Sequence, residues 1–341
     1  MSIYNIPTNY NYMGYDPTVV EYDYIKSVFA GLTGVGVVGA TGINYSDYLY
    51  WDNNTNLWTT GYSNVHIGSN AGQVNQKENA VAIGAGAGNT YQEINAVAIG
   101  SNAGQVNQQA GAVAIGSIAG KYNQQPFAVA IGSLAGNTNQ QEGAVAIGSN
   151  AGRNLQKEGA VAIGAGAGNT DQQVNAVAIG SNAGQVNQLA GAVAIGAGAG
   201  QVNQLAGAVA IGNNAGNNLQ QVDAVAIGSL AGSNLQQEGA VAIGGNAGLY
   251  NQQAFAVAIG SNAGSTGQGA NSISIGNNAS NINQSPKSII INATSIPITG
   301  STEGLYMAPL NTFHITPVPF TPADYYFLGY NSQTHEIVWF S

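Results

Sequence analysis

From residue 64 to residue 292 the apolar positions keep a fixed period. Ile stands at 67, 83, 99, 115, 131, 147, 163, 179, 195, 211, 227, 243, 259, 275 and 291, a spacing of 16 without an insertion or deletion. With Ile as position 0, position −2 is Val from Val65 to Val257 and Ile at 273 and 289, while position +4 is Ala from Ala71 to Ala279. Position +9 is Gln in every register from Gln76 to Gln284. The unit reads A-V-A-I-G-x-x-A-G-x-x-N-Q-x-x-G/N. An array that tolerates no change of length stacks like on like, because one inserted residue would turn every later side chain to the wrong face.

The A-V-A-I segment alternates with period two and predicts a short strand. A second, more polar strand falls near +6 to +9. Gly at +1 and +5, with Gly or Asn at −4 (Asn95, Gly111, Gly143), supplies corners that need positive φ. A helical repeat would need 3.6-residue periodicity and few glycines, and neither is present. The reading is an all-β parallel solenoid of about fifteen rungs. At about 4.8 Å per rung it makes a rod of roughly 70 Å.

Alternation gives each strand two apolar faces, one of Val and Ile and one of Ala. Val81, Ile83, Val97, Ile99, Val113, Ile115, Val129 and Ile131 read as the repeat core. The Ala face is then left for another subunit, since a thin coil encloses little core and gains burial by association. The Gln column, exemplified by Gln76, Gln92, Gln108, Gln124 and Gln140, reads as a stacked amide ladder, with the frequent Asn at +8 beside it.

Composition narrows the function classes. Only 6% of the 341 residues are charged, against roughly 25% in an ordinary soluble domain. The net charge of −9 divides into −4 before residue 64, −2 from 64 to 292 and −3 beyond. Six basic residues cannot build a phosphate-binding surface, so nucleic acid is not an expected partner. Cys is absent, which removes disulfides, thiolate metal sites and redox dithiols. The Met1-Ser2-Ile3-Tyr4-Asn5 terminus shows no basic and apolar leader, so synthesis in a cytosol is expected. The most apolar stretch, Val28 to Ala40, is too short and Gly-rich for a membrane span of about 20 residues.

The hexapeptide Asn-Ala-Val-Ala-Ile-Gly at 79–84, 95–100 and 175–180 resembles the head repeat of trimeric autotransporter adhesins. That resemblance implies a left-handed parallel β-roll with three chains around one axis. The longer form Ala-Val-Ala-Ile-Gly-Ser-Asn-Ala-Gly-Gln-Val-Asn-Gln, at 96–108 and 176–188, is similar to repeats of fibre and tail-fibre-like proteins of giant viruses and phages. The flanks support the second likeness. Tyr50 to Trp58 leads into the first rung, Ser288 to Thr294 closes the array, and Tyr330-Asn331 with Thr334, Glu336 and Ile337 resembles the terminal "YNxxTxEI" hairpin of viral fibres. The signal peptide, heptad stalk and membrane barrel of the bacterial family are not seen in the sequence, which favours the viral reading.

Three segments follow: a Tyr-rich attachment or capping segment at 1–63, the roll at 64–292, and a C-terminal β tip or trimerisation cap at 293–341. No catalytic, cofactor or metal site is expected. His66, His314 and His335 are the only histidines. The runs Gly84-Ala85-Gly86-Ala87-Gly88 and Gly196-Ala197-Gly198-Ala199-Gly200 mimic a nucleotide loop but fall on rung corners without its Gly-Lys-Ser/Thr. The expectation is a non-enzymatic homotrimeric spacer on a virion surface, made in the host cytoplasm. Its expected partners are a virion base protein and a host-surface receptor or glycan, without membrane insertion. A bacterial surface adhesin head and an ice- or carbohydrate-binding solenoid are the alternatives.

Overall fold

The structure is a computed structural model describing residues 45, 47–52, 55–61 and 63–309, with the backbone strands Phe327–Tyr330 and Ile337–Phe340. The expectations for residues 1–44 and for most of the C-terminal tip, His314 and His335 included, lie outside the described residues. The two backbone strands pair antiparallel as a hairpin.

Among the described residues the chain is a parallel β-solenoid of about fifteen turns with no helix. Each Val-Ala-Ile triplet forms a strand that pairs with the triplet 16 residues on, as in Val161↔Val177, Ala162↔Ala178 and Ile163↔Ile179. Sixteen strands make one continuous sheet from Val65–Ile67 to Gly304–Ala308. A second sheet runs through positions +7 to +9, beginning at Val74–Gln76. Bridges at Thr138 join its two portions. The corners are bonded from rung to rung as well: Gly184 N donates to Ala199 O at 2.9 Å and Gly180 N to Ile163 O at 2.8 Å.

The register outlasts the Ile column. Ile289↔Leu305 and Ile291↔Met307 continue the 16-residue step one rung beyond the repeat read from sequence. Met307 replaces Ile there, and Leu305 replaces Val, which is why counting isoleucines stops short.

Closing a two-sheet coil in sixteen residues demands left-handed backbone at five positions. In one rung these are Gly148, Asn150, Gly152, Leu155 and Gly159, with φ of 125°, 58°, 50°, 57° and 63°. Positions +1, +5 and −4 are legible as Gly or Asn, whereas +3 and +8 were not recognised as corners although Asn, Gly and Asp predominate there. Large side chains stand there too, Ile118, Leu134 and Leu230 at +3 and Tyr91, Leu155, Leu219 and Leu235 at +8, and in each the Cβ crowds the following carbonyl in this conformation. Leu155 is exposed and gains little burial in return. Leu155→Asn, which copies Asn139 one rung earlier at φ 55°, is expected to stabilise the protein by about 1 kcal/mol, read as a higher denaturation midpoint.

Candidate functional site

The coil is lined by small side chains. Ala at −3, −1 and +4, such as Ala160, Ala162 and Ala167, are fully buried from Ala80 to Ala279. Val and Ile point the other way. This reverses the assignment read from alternation: Val81, Ile83, Val97, Ile99, Val113, Ile115, Val129 and Ile131 are only half-buried and stand on the outer face of the first sheet. The Ala face reserved for a second subunit is instead the chain's own interior. The physical reason is room, because Gln at +9 also points inward and reaches across the coil, leaving space opposite it for methyl groups alone.

That Gln column holds the two sheets together. Gln156 is fully buried. Its Nε2 donates to Val145 O of its own rung at 2.8 Å, to Ala160 O of the next at 3.1 Å, and to Gln172 Oε1 at 3.0 Å. Its Oε1 accepts from Gln140 Nε2 at 3.0 Å. Two amide hydrogens thus serve three acceptors, one of them shared. The same rung-to-rung link repeats without a break from Gln76 to Gln268, taking in Gln92, Gln108, Gln124 and Gln140. Every amide points the same way, carbonyl toward the N-terminal end. The Asn at +8 bond only in short outer runs, such as Asn107 to Asn123 to Asn139.

Bulk replaces Ala where the interior column ends. Position −1 is His66 in the first rung, Ala82 to Ala258 through the array, then Ser274, Ile290 and Tyr306. In the rung of Ile291 the +9 residue is Gly300, and a Cβ there would stand 3.0 Å from Ile290 Cδ1. Ile290 therefore occupies the space that Gln fills elsewhere. At the other end His66 Nδ1 lies 3.0 Å from Gln76 Oε1. That oxygen only accepts, so Nδ1 carries the proton and donates to the first amide of the ladder.

The hairpin of Leu49–Asp52 and Leu57–Thr60 lies against this first rung. The Tyr50 ring stands edge-on to His66 at 4.1 Å. Tyr48 Oη accepts from His66 N and donates to Asn64 O, both at 2.9 Å. Burial pushes the Tyr48 phenol above its usual pKa, although the bond from His66 N opposes the shift.

The outer face carries the remaining apolar surface. Ile163, Ile195, Ile211, Ile243 and Ile259 are each 36–37% exposed. Such uniformity along the array is what neighbouring rungs alone leave uncovered. The result is a continuous Val and Ile strip that follows the sheet from rung to rung, and contiguous exposed apolar surface of this kind marks an interaction face.

Among the described residues no three His, Asp or Glu side chains come together as a metal-holding group, and no helix is long and apolar enough to cross a membrane. Among the described residues, open concavities lie beside the first rung and along the corners. No protein-family model, curated protein or solved structure matches the chain.

Proposed function

We propose that three copies of the chain join their Val and Ile strips around a common axis, forming a left-handed trimeric rod that serves as a non-enzymatic fibre on a virion surface. The observation that carries this reading is the unbroken apolar strip on the outer face of the sixteen-stranded sheet. A strip of that length is soluble only when covered, and a second copy carries its match at every rung. The Gln-filled interior needs no partner, so association is left to the outside. The repeat's resemblance to viral fibre and adhesin heads supports three as the number and a particle surface as the place. In the assembly the Tyr48–Tyr50 hairpin and the bulky side chains at Ile290 and Tyr306 cap the two ends of each coil, covering edges that otherwise recruit further strands. The rod then acts mechanically, holding one end on the particle and presenting the other end and its corners to a host surface.

Light scattering on the purified protein tests the assembly. The wild type is expected at three times the chain mass. Ile163→Glu together with Ile195→Glu is expected to shift it toward the monomer, because each carboxylate would be buried unpaired in the seam. A monomeric wild type, or a variant trimer of unchanged stability, removes the strip from the assembly.

A further inference from the structure

The corner between the two sheets is largely polar, with Ser at +2 in most rungs, often Asn at +3, and an amide at +6 in most rungs. Three rungs replace the Ser-Asn pair by Ala-Gly, at 85–86, 165–166 and 197–198. The first and last lie in the Gly-Ala-Gly-Ala-Gly runs that mimic nucleotide loops, and the middle one lies in a third run of the same sequence, 164–168. In the structure the middle one opens a trough of about 380 Å³ between Asn150 and Asn182. Its wall carries Arg153, the only arginine in the chain. The Arg153 side chain is exposed, and its guanidinium has no hydrogen-bond or ion-pair partner among the described residues. Asp171, in the next rung, is held by Gln173 Nε2 at 2.6 Å instead.

The amides around the trough are already oriented. Asn169 Nδ2 donates to Asn150 O at 2.9 Å, and its Oδ1 accepts from Thr170 Oγ1 at 3.0 Å. Gln185 Nε2 donates to Asn182 Oδ1 at 3.2 Å, while Gln185 Oε1 accepts from Gln201 Nε2 at 3.1 Å. Each amide keeps a second hydrogen or lone pair for a ligand. The trough offers no apolar enclosure, which excludes flat hydrophobic molecules. It offers a row of fixed hydroxyl-binding groups beside one planar fork of donors that matches a carboxylate.

We propose that this trough binds an acidic saccharide, with the sugar carboxylate on Arg153 and ring hydroxyls on Asn169, Asn182 and Gln185. The Ala-Gly pair at 165–166 admits the ring because the corner lacks the Asn side chain and the Ser hydroxyl present in neighbouring rungs. A second Ala-Gly pair, Ala197-Gly198, lies two rungs on, about 10 Å along the rod, within the reach of a disaccharide. The role of such a site in host attachment rests on the fibre reading above, where three chains would repeat it and gain avidity. The site itself needs one chain.

The test uses two variants that copy residues found at the same rung positions elsewhere. Arg153→Asn copies Asn137 and Asn169, and Gly166→Asn copies Asn150 and Asn182. Asn also suits the left-handed backbone of Gly166, φ 68°; its Cβ meets Asn182 Oδ1, the end of a flexible side chain that turns aside as the two join a corner ladder like that from Asn246 to Asn262. Binding of 3′-sialyllactose and of a hyaluronate tetrasaccharide is measured by titration calorimetry, with lactose and inorganic phosphate as controls. At least one acidic sugar is expected to bind the wild type, and each variant is expected to weaken it at least tenfold with an unchanged melting curve. Lactose and phosphate are expected to bind at least tenfold more weakly. The proposal is overturned if neither acidic sugar binds at millimolar concentration, if both variants bind as the wild type does, or if phosphate binds equally well. Light scattering on the same samples separates the two ideas, since a trimer that ignores both sugars overturns the trough and leaves the fibre intact.

Discussion

Gly244→Ala is expected to lower the stability of the rod by about 4 kcal/mol, while Gly245→Ala, one residue later, leaves it unchanged or raises it by about 0.5 kcal/mol. Gly244 belongs to the +1 column, with φ 126°. A Cβ there would stand 2.7 Å from both the carbonyl carbon and oxygen of Gly260 in the next rung. Backbone on both sides prevents escape, and rungs spaced at about 4.8 Å cannot part locally without breaking the bonds that stack them. Strain of the left-handed conformation adds about 1–3 kcal/mol to that overlap. Gly245 meets nothing within 4 Å of its added Cβ and has no left-handed φ, and Ala already occupies the same position at 85, 165 and 197. Guanidinium denaturation of the two variants measures the difference. Equal midpoints would show that the corner is not packed backbone against backbone.

The second large effect is expected at the amide column. Gln188→Leu leaves Gln172 Nε2 without its rung-to-rung acceptor and Gln204 Oε1 without its donor, and it removes the bonds to Val177 O and Ala192 O. Unpaired buried polar groups cost about 1–3 kcal/mol each, so a loss of about 4 kcal/mol is expected, measured by the same denaturation. Gln188→Glu separates charge from shape. A carboxyl group sealed inside the coil with no cation nearby has its folded-state pKa raised above the unfolded value of about 4.3. The folded state then binds the extra proton, so the variant is most stable below about pH 4 and loses roughly 1.4 kcal/mol per pH unit as the pH rises above that value. The loss continues until the folded group itself ionises. A Gln188→Glu protein whose stability relative to the wild type does not change between pH 3 and pH 7 would place that side chain in solvent.

The 16-residue step was enough to read a parallel coil, its two strand positions and most of its corners, because a period without insertions leaves little else for backbone hydrogen bonds to do. The direction of the side chains was not legible in the same way. In Ala-Val-Ala-Ile both faces are apolar, and hydrophobicity alone ranks Val81 and Ile83 above Ala82 as core. What decides the matter is volume. Gln92 at full length spans the coil from its own strand to Val81 O, and beside it only an Ala such as Ala82 fits. The sequence carried a signal for this, since Ala at +4 and Gln at +9 do not vary from the rung of Ile67 to that of Ile275 while the outward +6 and +7 positions vary freely. The extra rung at Leu305-Tyr306-Met307 escaped for the opposite reason. There the backbone register persists while the side chains grow to close the interior.

The trough at Arg153 was legible only in pieces. Its Ala-Gly floor repeats the runs at 84–88 and 196–200 that mimic a nucleotide loop, and Arg153 is one of many residue types at the +6 position. Nothing in the linear order shows that residues 153, 166 and 182 share a face. That follows only once the turns at +3 and +6 of successive rungs are stacked.

Whether Gln and Ala lie inside the coil, with Val and Ile outside, is measured most directly by hydrogen exchange of glutamine side-chain amides in protein labelled with ¹⁵N on Gln. Two populations are expected. The column from Gln92 to Gln268 exchanges slowly, protected by full burial, whereas exposed glutamines such as Gln73 and Gln125 exchange rapidly. Fast exchange of every glutamine side chain would contradict the account, because it would put the column on the outside of the coil.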